Sequence, residues 1–283
     1  MEVLLNELSL SGQFKDENEF FDSFDTILQT IKLIELLKFS LLKEYSLFQS
    51  KITRSLEFTD FLRLRSDRAR KIKRFLAKLS QNPPYWNETQ KHSTNDKYFY
   101  KGRNISNTSL AESCERDRVL LSFENIDFKD MDIVIEKNST SINLYNIINR
   151  DKFLEYLLSN SKIEPLRYCQ LKFKDSNLDF SKLEIRYGFD SLDNQEQIDT
   201  FMLAFNDFSR MSWEDIIKSD GLEYKQYSKP KKQGWFLKGK GLYSDIDIYK
   251  FRVTQKYRCF GYREKDEFFV LRFETDHKQS DNG

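Results

Sequence analysis

The sequence predicts an α+β protein in two parts, and two patterns of apolar residues carry this prediction. Apolar residues recur at helical spacing over residues 17–50 and again over residues 194–219. Alternation of polar and apolar residues over 247–275 instead indicates three final β-strands. We therefore expect a helical and mixed region over residues 1–165, followed over residues 166–283 by a small antiparallel-sheet domain with two helices.

Local signals divide the N-terminal region into elements. Asp16 is a suitable N-cap for the first helix, whose apolar face is formed by Phe20, Phe24, Ile27, Ile31, Ile34 and Leu37. A second helix is expected over residues 59–80, because an Asn-Pro-Pro sequence directly after it would end a helix. Residues 118–137 are typical of two strands, and residues 142–160 have a helical pattern.

The C-terminal region contains its own helical and extended patterns. Residues 166–189 predict a hairpin, and two short helices are expected over 194–210 and 212–219. Ser212, with Asp215 three residues later, is typical of a capping box at the start of the second helix. A basic loop or irregular hairpin over residues 221–245 then precedes the three final strands.

Composition limits the kinds of site that this chain can build. Charged residues interrupt every long apolar stretch and the first residues lack a basic segment, so we expect neither a membrane span nor a signal peptide. Three well-separated cysteines are typical of reduced thiols in a cytoplasmic protein. With only two histidines, His92 and His277, a zinc site is not expected. We expect no cofactor and no metal, although a magnesium site made of carboxylates stays open.

The segment before and within the final strands is basic and rich in aromatic residues. Residues 221–263 contain eleven lysines and arginines against three acids, an excess of eight positive charges. Alternation places Phe251 and Val253 on one face of their strand and Lys250 and Arg252 on the other. Aromatic residues lie between the cations at Tyr224, Tyr227, Trp235, Tyr243 and Tyr249. A positive surface with stackable rings suits a polyanion that carries bases, so RNA is the expected partner.

Four short motifs in the C-terminal third form a recognisable series. They are Phe251-Arg252-Val253, Tyr257-Arg258-Cys259-Phe260-Gly261, Phe269-Val270-Leu271 and Asp276-His277-Lys278. With two helices preceding them, these motifs resemble the RelE/ParE/YoeB-like toxin superfamily. The resemblance implies a RelE-like fold, in which two helices pack on a curved antiparallel sheet, and a toxin-type, metal-independent endoribonuclease that cleaves mRNA, with the ribosome as an expected partner.

Cleavage by such an enzyme requires three chemical contributions. The 2′-hydroxyl must lose a proton as it attacks the adjacent phosphate, the phosphorane charge must be balanced, and the leaving 5′-oxygen must gain a proton. The resemblance assigns Arg252 and Arg258 to the phosphate, assisted by Lys250 or Lys256. It assigns proton transfer to His277, oriented by Asp276. Two acids are candidates for the carboxylate base that some members use, Glu223 and Glu274.

Further cations and partners complete this expectation. The lysines expected to bind nucleic acid are Lys231, Lys232, Lys238, Lys240, Lys250 and Lys256. The extra N-terminal region suggests a sensor or an inhibitory region, in the setting of antiviral defence or abortive infection. A neutralising antitoxin or a defence-system partner would then act on the toxin domain.

Three alternatives stay open. Some members of the superfamily cut nothing, so the same hairpin can serve a non-catalytic protein that binds nucleic acid or a partner. Eight cations between residues 63 and 78 suggest either a second nucleic-acid surface or, as we favour, a solvated face paired with acids of the first helix. Finally, Glu223-Tyr224-Lys225 with Asp215 or Asp220 weakly resembles the Asp…Glu-x-Lys arrangement of metal-dependent nucleases.

Overall fold

Residues 1–63, 67–70 and 84–280 are described by a computed structural model of the protein. The chain is mixed α+β, as the sequence predicts, and it divides into two compact units, residues 1–155 and 156–283. We refer to them as the N-terminal unit and the C-terminal unit. Each contains its own mixed β-sheet.

The N-terminal unit contains a seven-stranded sheet with the strand order β2-β1-β5-β7-β6-β3-β4. Its strands are Glu2–Leu5 (β1), Ser40–Leu42 (β2), Tyr98–Tyr100 (β3), Arg103–Asn104 (β4), Val119–Leu121 (β5), Asp132–Lys137 (β6) and Thr140–Ile147 (β7). Strands β2, β1, β5 and β7 pair in parallel, whereas β7, β6, β3 and β4 pair antiparallel. The strand order changes direction at β1, because the next strand in sequence, β2, lies on one side of it and all later strands lie on the other.

The first helix, α1 (Glu17–Leu36), begins where the sequence predicts. The Asp16 carboxylate accepts hydrogen bonds from the backbone N–H groups of Asn18 and Glu19, as an N-cap does. The helix ends earlier than predicted, because Lys38 adopts a left-handed conformation (φ 57°) and the backbone then forms β2 beside β1. The prediction of helix up to residue 50 is therefore wrong, since pairing with a distant strand overrides the local apolar period.

Two other helix predictions in this region have different outcomes. The predicted helix over 142–160 is wrong in its first half, because residues 140–147 form β7 between β5 and β6; the helix α3 follows at Arg150–Ser159. The predicted helix over 59–80 lies largely outside the described residues; its described beginning, Phe58–Arg63, is a 3-10 helix, whereas residues 67–70 are α-helical as predicted. A short α-helix, α2, spans Ser109–Cys114. Further 3-10 helices described in this unit are Glu7–Ser9, Tyr45–Gln49 (after β2), Trp86–Thr89 and Ile126–Phe128.

The C-terminal unit contains a five-stranded sheet with the order β8-β12-β11-β10-β9. Its strands are Leu178–Asp179 (β8), Lys225–Gln226 (β9), Tyr249–Arg252 (β10), Arg258–Glu264 (β11) and Glu267–Glu274 (β12). All pairings are antiparallel except that of β8 with β12, so the sheet is mixed and not purely antiparallel as predicted. Its helices are Pro165–Lys172 (α4), Gln195–Arg210 (α5) and Trp213–Lys218 (α6).

The sequence predicts these elements unevenly. The two helices and the three final strands are confirmed, and the Ser212 side chain accepts a hydrogen bond from the Asp215 backbone as a cap. The hairpin predicted over 166–189 is wrong, because its first half is α4. Pro165 stands in the first turn of α4, where its fixed φ favours a helix and its missing N–H costs nothing.

The terminal sheet has one apolar face and one polar face. On the apolar face, the rings of Phe251 and Phe273 pack against α5, with centroids 4.6 Å from Phe208 and 4.5 Å from Phe201. The opposite face, called here the polar face, carries Lys250, Arg252, Arg258, Phe260, Arg272 and Glu274, which are linked by cross-strand register. The predicted placement of Lys250 and Arg252 opposite Phe251 is therefore confirmed.

Candidate nucleic-acid site

The two arginines assigned to the phosphate are direct neighbours on the polar face. Arg252 of β10 lies opposite Arg258 of β11, and Arg258 in turn lies opposite Glu274 of β12. Cross-strand partners hold their side chains about 5 Å apart at the Cβ atoms. The fold thus brings Arg252 and Arg258 together, although they are six positions apart in sequence.

Glu223 joins these two arginines. Its Oε1 atom forms an ion pair with Arg252, and its Oε2 atom lies 3.7 Å from Nη2 of Arg258. Glu223 has a positive φ of 42°, which is uncommon for a residue other than glycine and is found most often at functional sites and tight turns. The side chains of Glu223 and Arg252 stay 33% and 26% exposed, so solvent reaches the pair. We call Glu223, Arg252 and Arg258 the arginine–glutamate cluster.

Arg258 also stabilises the turn between β10 and β11. Its Nη1 donates to the carbonyl oxygens of Thr254 at 2.7 Å and Tyr257 at 2.9 Å, within the turn that joins β10 to β11. The residue is buried, so this guanidinium is fixed in place before any ligand arrives. Arg252 is held less completely, because its buried Nε has no hydrogen-bond partner among the described residues.

Lys250 lies in the interior and not on an open surface. Its Nζ donates to the carbonyl oxygen of Ser280 at 2.9 Å and lies 5.3 Å from the centre of the Tyr227 ring. Glu274, also buried, accepts hydrogen bonds from the backbone N–H groups of Gln279 and Ser280. These contacts attach the C-terminal turn, residues 275–280, to the polar face. Because the Lys250 amine is buried beneath this turn, it is not placed to contact nucleic acid at the surface.

His277 lies within this C-terminal turn, three residues beyond the end of β12. It is half-buried and has a positive φ of 67°. The neighbouring Asp276 binds Nζ of Lys278 at 2.6 Å, and this hydrogen bond lowers the pKa of the Asp276 carboxyl. The turn that carries His277 is anchored on Glu274, which shares its row of the sheet with Arg252 and Arg258.

The other lysines assigned to nucleic acid lie at the surface of the C-terminal unit. Five of them are exposed, namely Lys231, Lys232, Lys238, Lys240 and Lys256. The four on the 229–240 loop are held over the polar face by an apolar cluster that includes Tyr227, Phe236 and Phe260. The loop is therefore packed on the sheet by its aromatic residues while its cations face solvent.

A second arginine–carboxylate pair, which no local pattern in the sequence indicates, supports the loop. The Nε atom of Arg272 donates to Oε1 of Glu184 at 2.8 Å, and its Nη2 atom donates to Oε2 at the same distance. The Arg272 guanidinium also lies 4.4 Å from the ring centre of Tyr187 and 4.8 Å from that of Phe236. The alternation that selected Arg252 also places Arg272 on the polar face, whereas nothing local in the sequence points to Glu184.

The residues of the metal-dependent alternative, Glu223 and Lys225, have other surroundings than a metal-dependent nuclease site would give them. Glu223 is engaged by two arginines, and Lys225 is exposed on the edge strand β9. Within residues 1–63, 67–70 and 84–280, no three side chains of His, Cys, Asp or Glu are grouped so that they could hold a metal ion.

No described helix is long and apolar enough to cross a membrane.

The three cysteines are buried thiols. Burial raises the pKa of Cys114 to about 12 and raises the pKa values of Cys169 and Cys259 well above the usual range. Since the thiolate is the nucleophilic form, these groups are unreactive at neutral pH.

The chain was compared with protein families, curated proteins and solved structures. No family model, no curated protein and no solved structure matches it. The roles of the arginine–glutamate cluster and the exposed lysines are therefore argued from their geometry alone.

Proposed function

We propose that the C-terminal unit is a metal-independent endoribonuclease of RelE-like build that binds mRNA through the exposed lysines and cleaves it at the arginine–glutamate cluster. The observation that carries this proposal is the position of Glu223 against both Arg252 and Arg258. A carboxylate and two guanidinium groups supply a proton acceptor and the positive charge that phosphoryl transfer needs without a metal.

In the proposed reaction, the substrate phosphate takes the place of Glu223 at Arg252. Such an exchange is open to the substrate because solvent reaches this pair, whose Glu223 and Arg252 side chains are 33% and 26% exposed. The released Glu223 carboxylate accepts the proton of the 2′-hydroxyl as the 2′-oxygen forms its bond to phosphorus. Arg252 and Arg258 stabilise the phosphorane charge.

The leaving group completes the reaction. The bond between phosphorus and the 5′-oxygen breaks, and the imidazolium of His277 gives its proton to that oxygen. The products are a 2′,3′-cyclic phosphate and a 5′-hydroxyl. The anchoring of the His277 turn on Glu274, in the same row of the sheet as both arginines, supports this role.

A second candidate is a protein that binds RNA without cutting it. The burial of Lys250 and the use of Arg258 to hold the 254–257 turn favour this function, because both residues then serve the fold. The exposed lysines of the 229–240 loop would still bind the phosphate backbone.

One experiment separates the two functions. Full-length protein is incubated with single-stranded RNA in EDTA, and cleavage and binding are both measured for the wild type, Glu223→Gln, Arg252→Ala and His277→Ala. The exposed residues Glu267 and Arg210 provide matched controls, Glu267→Gln and Arg210→Ala. The nuclease proposal expects cleavage by the wild type and by both controls, and a loss of about 10²–10⁴-fold in the three site variants. RNA that is bound but stays intact would establish the second function instead.

A further inference from the structure

The N-terminal unit contains a cavity of about 670 Å³ next to the carboxyl end of β1. It is lined by the segment that follows β1, by the 3-10 helix after β2, by the β3–β4 hairpin and by the segment after β5. In sheets with parallel strands, ligands bind outside the carboxyl ends of the strands, where the direction of the strand order reverses. β1 is that position in this sheet, and the volume lies in the usual range for small-molecule sites of about 300–1,000 Å³.

Glu7 provides an unsatisfied polar group at this cavity. Its side chain is only 6% exposed, and its Oε1 accepts a hydrogen bond of 2.9 Å from the Ser109 backbone. Its Oε2 is buried and accepts no hydrogen bond from any residue that the structure describes. Buried carboxyl oxygens normally have a hydrogen-bond partner, so the Glu7 carboxyl is an unsatisfied group that the polar edge of a ligand can engage.

An aromatic wall stands beside Glu7. The rings of Tyr100 and Phe128 are stacked, with centroids 5.4 Å apart and planes 18° from parallel. The Tyr100 hydroxyl donates to the Asp127 carbonyl oxygen at 2.6 Å, which fixes the orientation of its ring. A flat heterocycle is the ligand group that such a wall accommodates best.

The rim of the cavity carries two cations and one acid. Nζ of Lys101 lies 4.0 Å from one Asp127 carboxylate oxygen, and Nη1 of Arg103 lies 3.5 Å from the other. All three side chains are substantially exposed, and Arg103 is 78% exposed. Nζ of Lys101 also donates to the Asp127 carbonyl oxygen at 3.0 Å. The contacts with the Asp127 carboxylate are long and exposed and therefore weak, so a phosphate group can replace that carboxylate at both cations.

We propose that this cavity binds a free nucleotide. The polar edge of the base forms a hydrogen bond with the Glu7 carboxyl, the base lies against the Tyr100–Phe128 wall, and the phosphate binds Lys101 and Arg103. This ligand is distinct from the RNA of the proposed function, and the cavity is built entirely from residues of the N-terminal unit.

The test uses full-length protein and isothermal titration calorimetry with AMP, GMP, CMP and UMP, and with the four corresponding nucleosides. We expect at least one monophosphate to bind, and its nucleoside to bind at least tenfold more weakly because the phosphate contacts are lost. Arg103→Ala should weaken the monophosphate by tenfold or more, since it removes a charge-assisted hydrogen bond to the phosphate. Glu7→Gln should also weaken it, because it changes the carboxyl that meets the edge of the base. Lys97→Ala, which changes an exposed cation outside the cavity lining, should have no effect.

Three results would overturn this assignment. They are no heat of binding with any monophosphate at millimolar concentration, equal affinity for nucleoside and nucleotide, and unchanged affinity in Arg103→Ala. Because the Arg103 side chain is exposed at the rim, its removal leaves the core intact, so this variant keeps the test decisive even if Glu7→Gln does not fold. None of these results depends on whether the C-terminal unit cleaves RNA.

Discussion

The carboxylate of Glu223 pairs with the guanidinium group of Arg252 at a place that solvent reaches. Glu223 belongs to the segment before β9 and Arg252 to the end of β10, and the Arg252 backbone N–H also donates to the Leu222 carbonyl oxygen at 2.6 Å. The pair is thus fixed through the main chain on one side and open to a ligand on the other. The pair of Arg272 with Glu184 differs in its surroundings, because the Arg272 guanidinium also lies against the rings of Tyr187 and Phe236.

The two arginines of the cluster should differ in their effect on stability. Arg258→Ala removes the donor to several turn carbonyls at a buried position, so we expect a loss of about 2–4 kcal/mol in the free energy of unfolding. Arg252→Ala breaks a half-exposed ion pair and should cost about 1 kcal/mol or less. Urea denaturation of full-length protein checks this difference; equal losses for both variants would show that Arg258 does not hold the turn.

Gly261 should not tolerate any side chain. The ladder between β11 and β12 shifts register at Phe260/Gly261, and a Cβ at Gly261 would lie 2.2 Å from the Phe269 carbonyl oxygen. Gly261→Ala is therefore expected to destabilise the protein by several kcal/mol, toward or beyond the upper end of the roughly 1–3 kcal/mol typical of overpacking. Gly221→Ala is the control, since its nearest neighbour atom would be 3.6 Å away. Thermal unfolding measures both, and similar melting temperatures would contradict the described register.

Stability should fall between about pH 4.5 and pH 7 because of Glu7. Burial raises the pKa of this carboxyl from 4.5 to about 7, opposed in part by hydrogen bonds from Ser109 and assisted by the charge of Glu44. Between these values the folded state holds a proton that the unfolded state has lost, so unfolding becomes easier as the pH rises. The full cost, on the order of 3 kcal/mol, is present above pH 7.

Glu7→Gln removes this titration and provides the measurement. We expect the variant to be more stable than the wild type at pH 8 and to lose that advantage at pH 4.5, when both are compared by urea denaturation. An advantage that does not change with pH would mean that the Glu7 carboxyl titrates normally.

The exposed loop lysines should account for the salt dependence of RNA binding. Each phosphate contact contributes about 0.7 to the slope of log K against log salt concentration for a single strand. Replacing Lys231, Lys232, Lys238 and Lys240 by alanine should therefore reduce this slope. Lys250→Met should leave it unchanged, because the Lys250 amine binds the Ser280 carbonyl oxygen in the interior. A lower slope in Lys250→Met would show that this amine reaches RNA.

The sequence predicts best those elements that are determined by residues close by in the chain. Strand β10 alternates correctly because Phe251 packs on α5 while Lys250 and Arg252 face the other way. Asp16 and Ser212 were identified as caps because their partners lie within three residues.

Elements with distant partners were predicted poorly. Strands β1 and β2 are only four and three residues long, and β1 also pairs with β5, more than a hundred residues away. The parallel part of the N-terminal sheet is therefore invisible to a local pattern. The favoured pairing of the basic segment 63–78 with acids of α1 is confirmed for Arg68, which binds Asp22 and Asp25; residues 64–66 and 71–83 lie outside the described part of the chain.

In the candidate site, too, some residues can be predicted from the local pattern, whereas their contacts cannot. Arg252 and Arg258 could be selected from alternation and from the resemblance, but their contact with Glu223 depends on a positive φ that a glutamate rarely adopts. The structural roles of Lys250 and Glu274 depend on the folding of the C-terminal turn onto the polar face, which no spacing in the sequence indicates.

The most direct test of the proposed function is the cleavage of single-stranded RNA in EDTA by Glu223→Gln compared with wild type and Glu267→Gln. We expect wild type and Glu267→Gln to yield fragments with 2′,3′-cyclic phosphate ends, and Glu223→Gln to bind the RNA but cleave it about 10²–10⁴-fold more slowly. Equal cleavage by all three proteins, or no cleavage by the wild type, would contradict the proposed function.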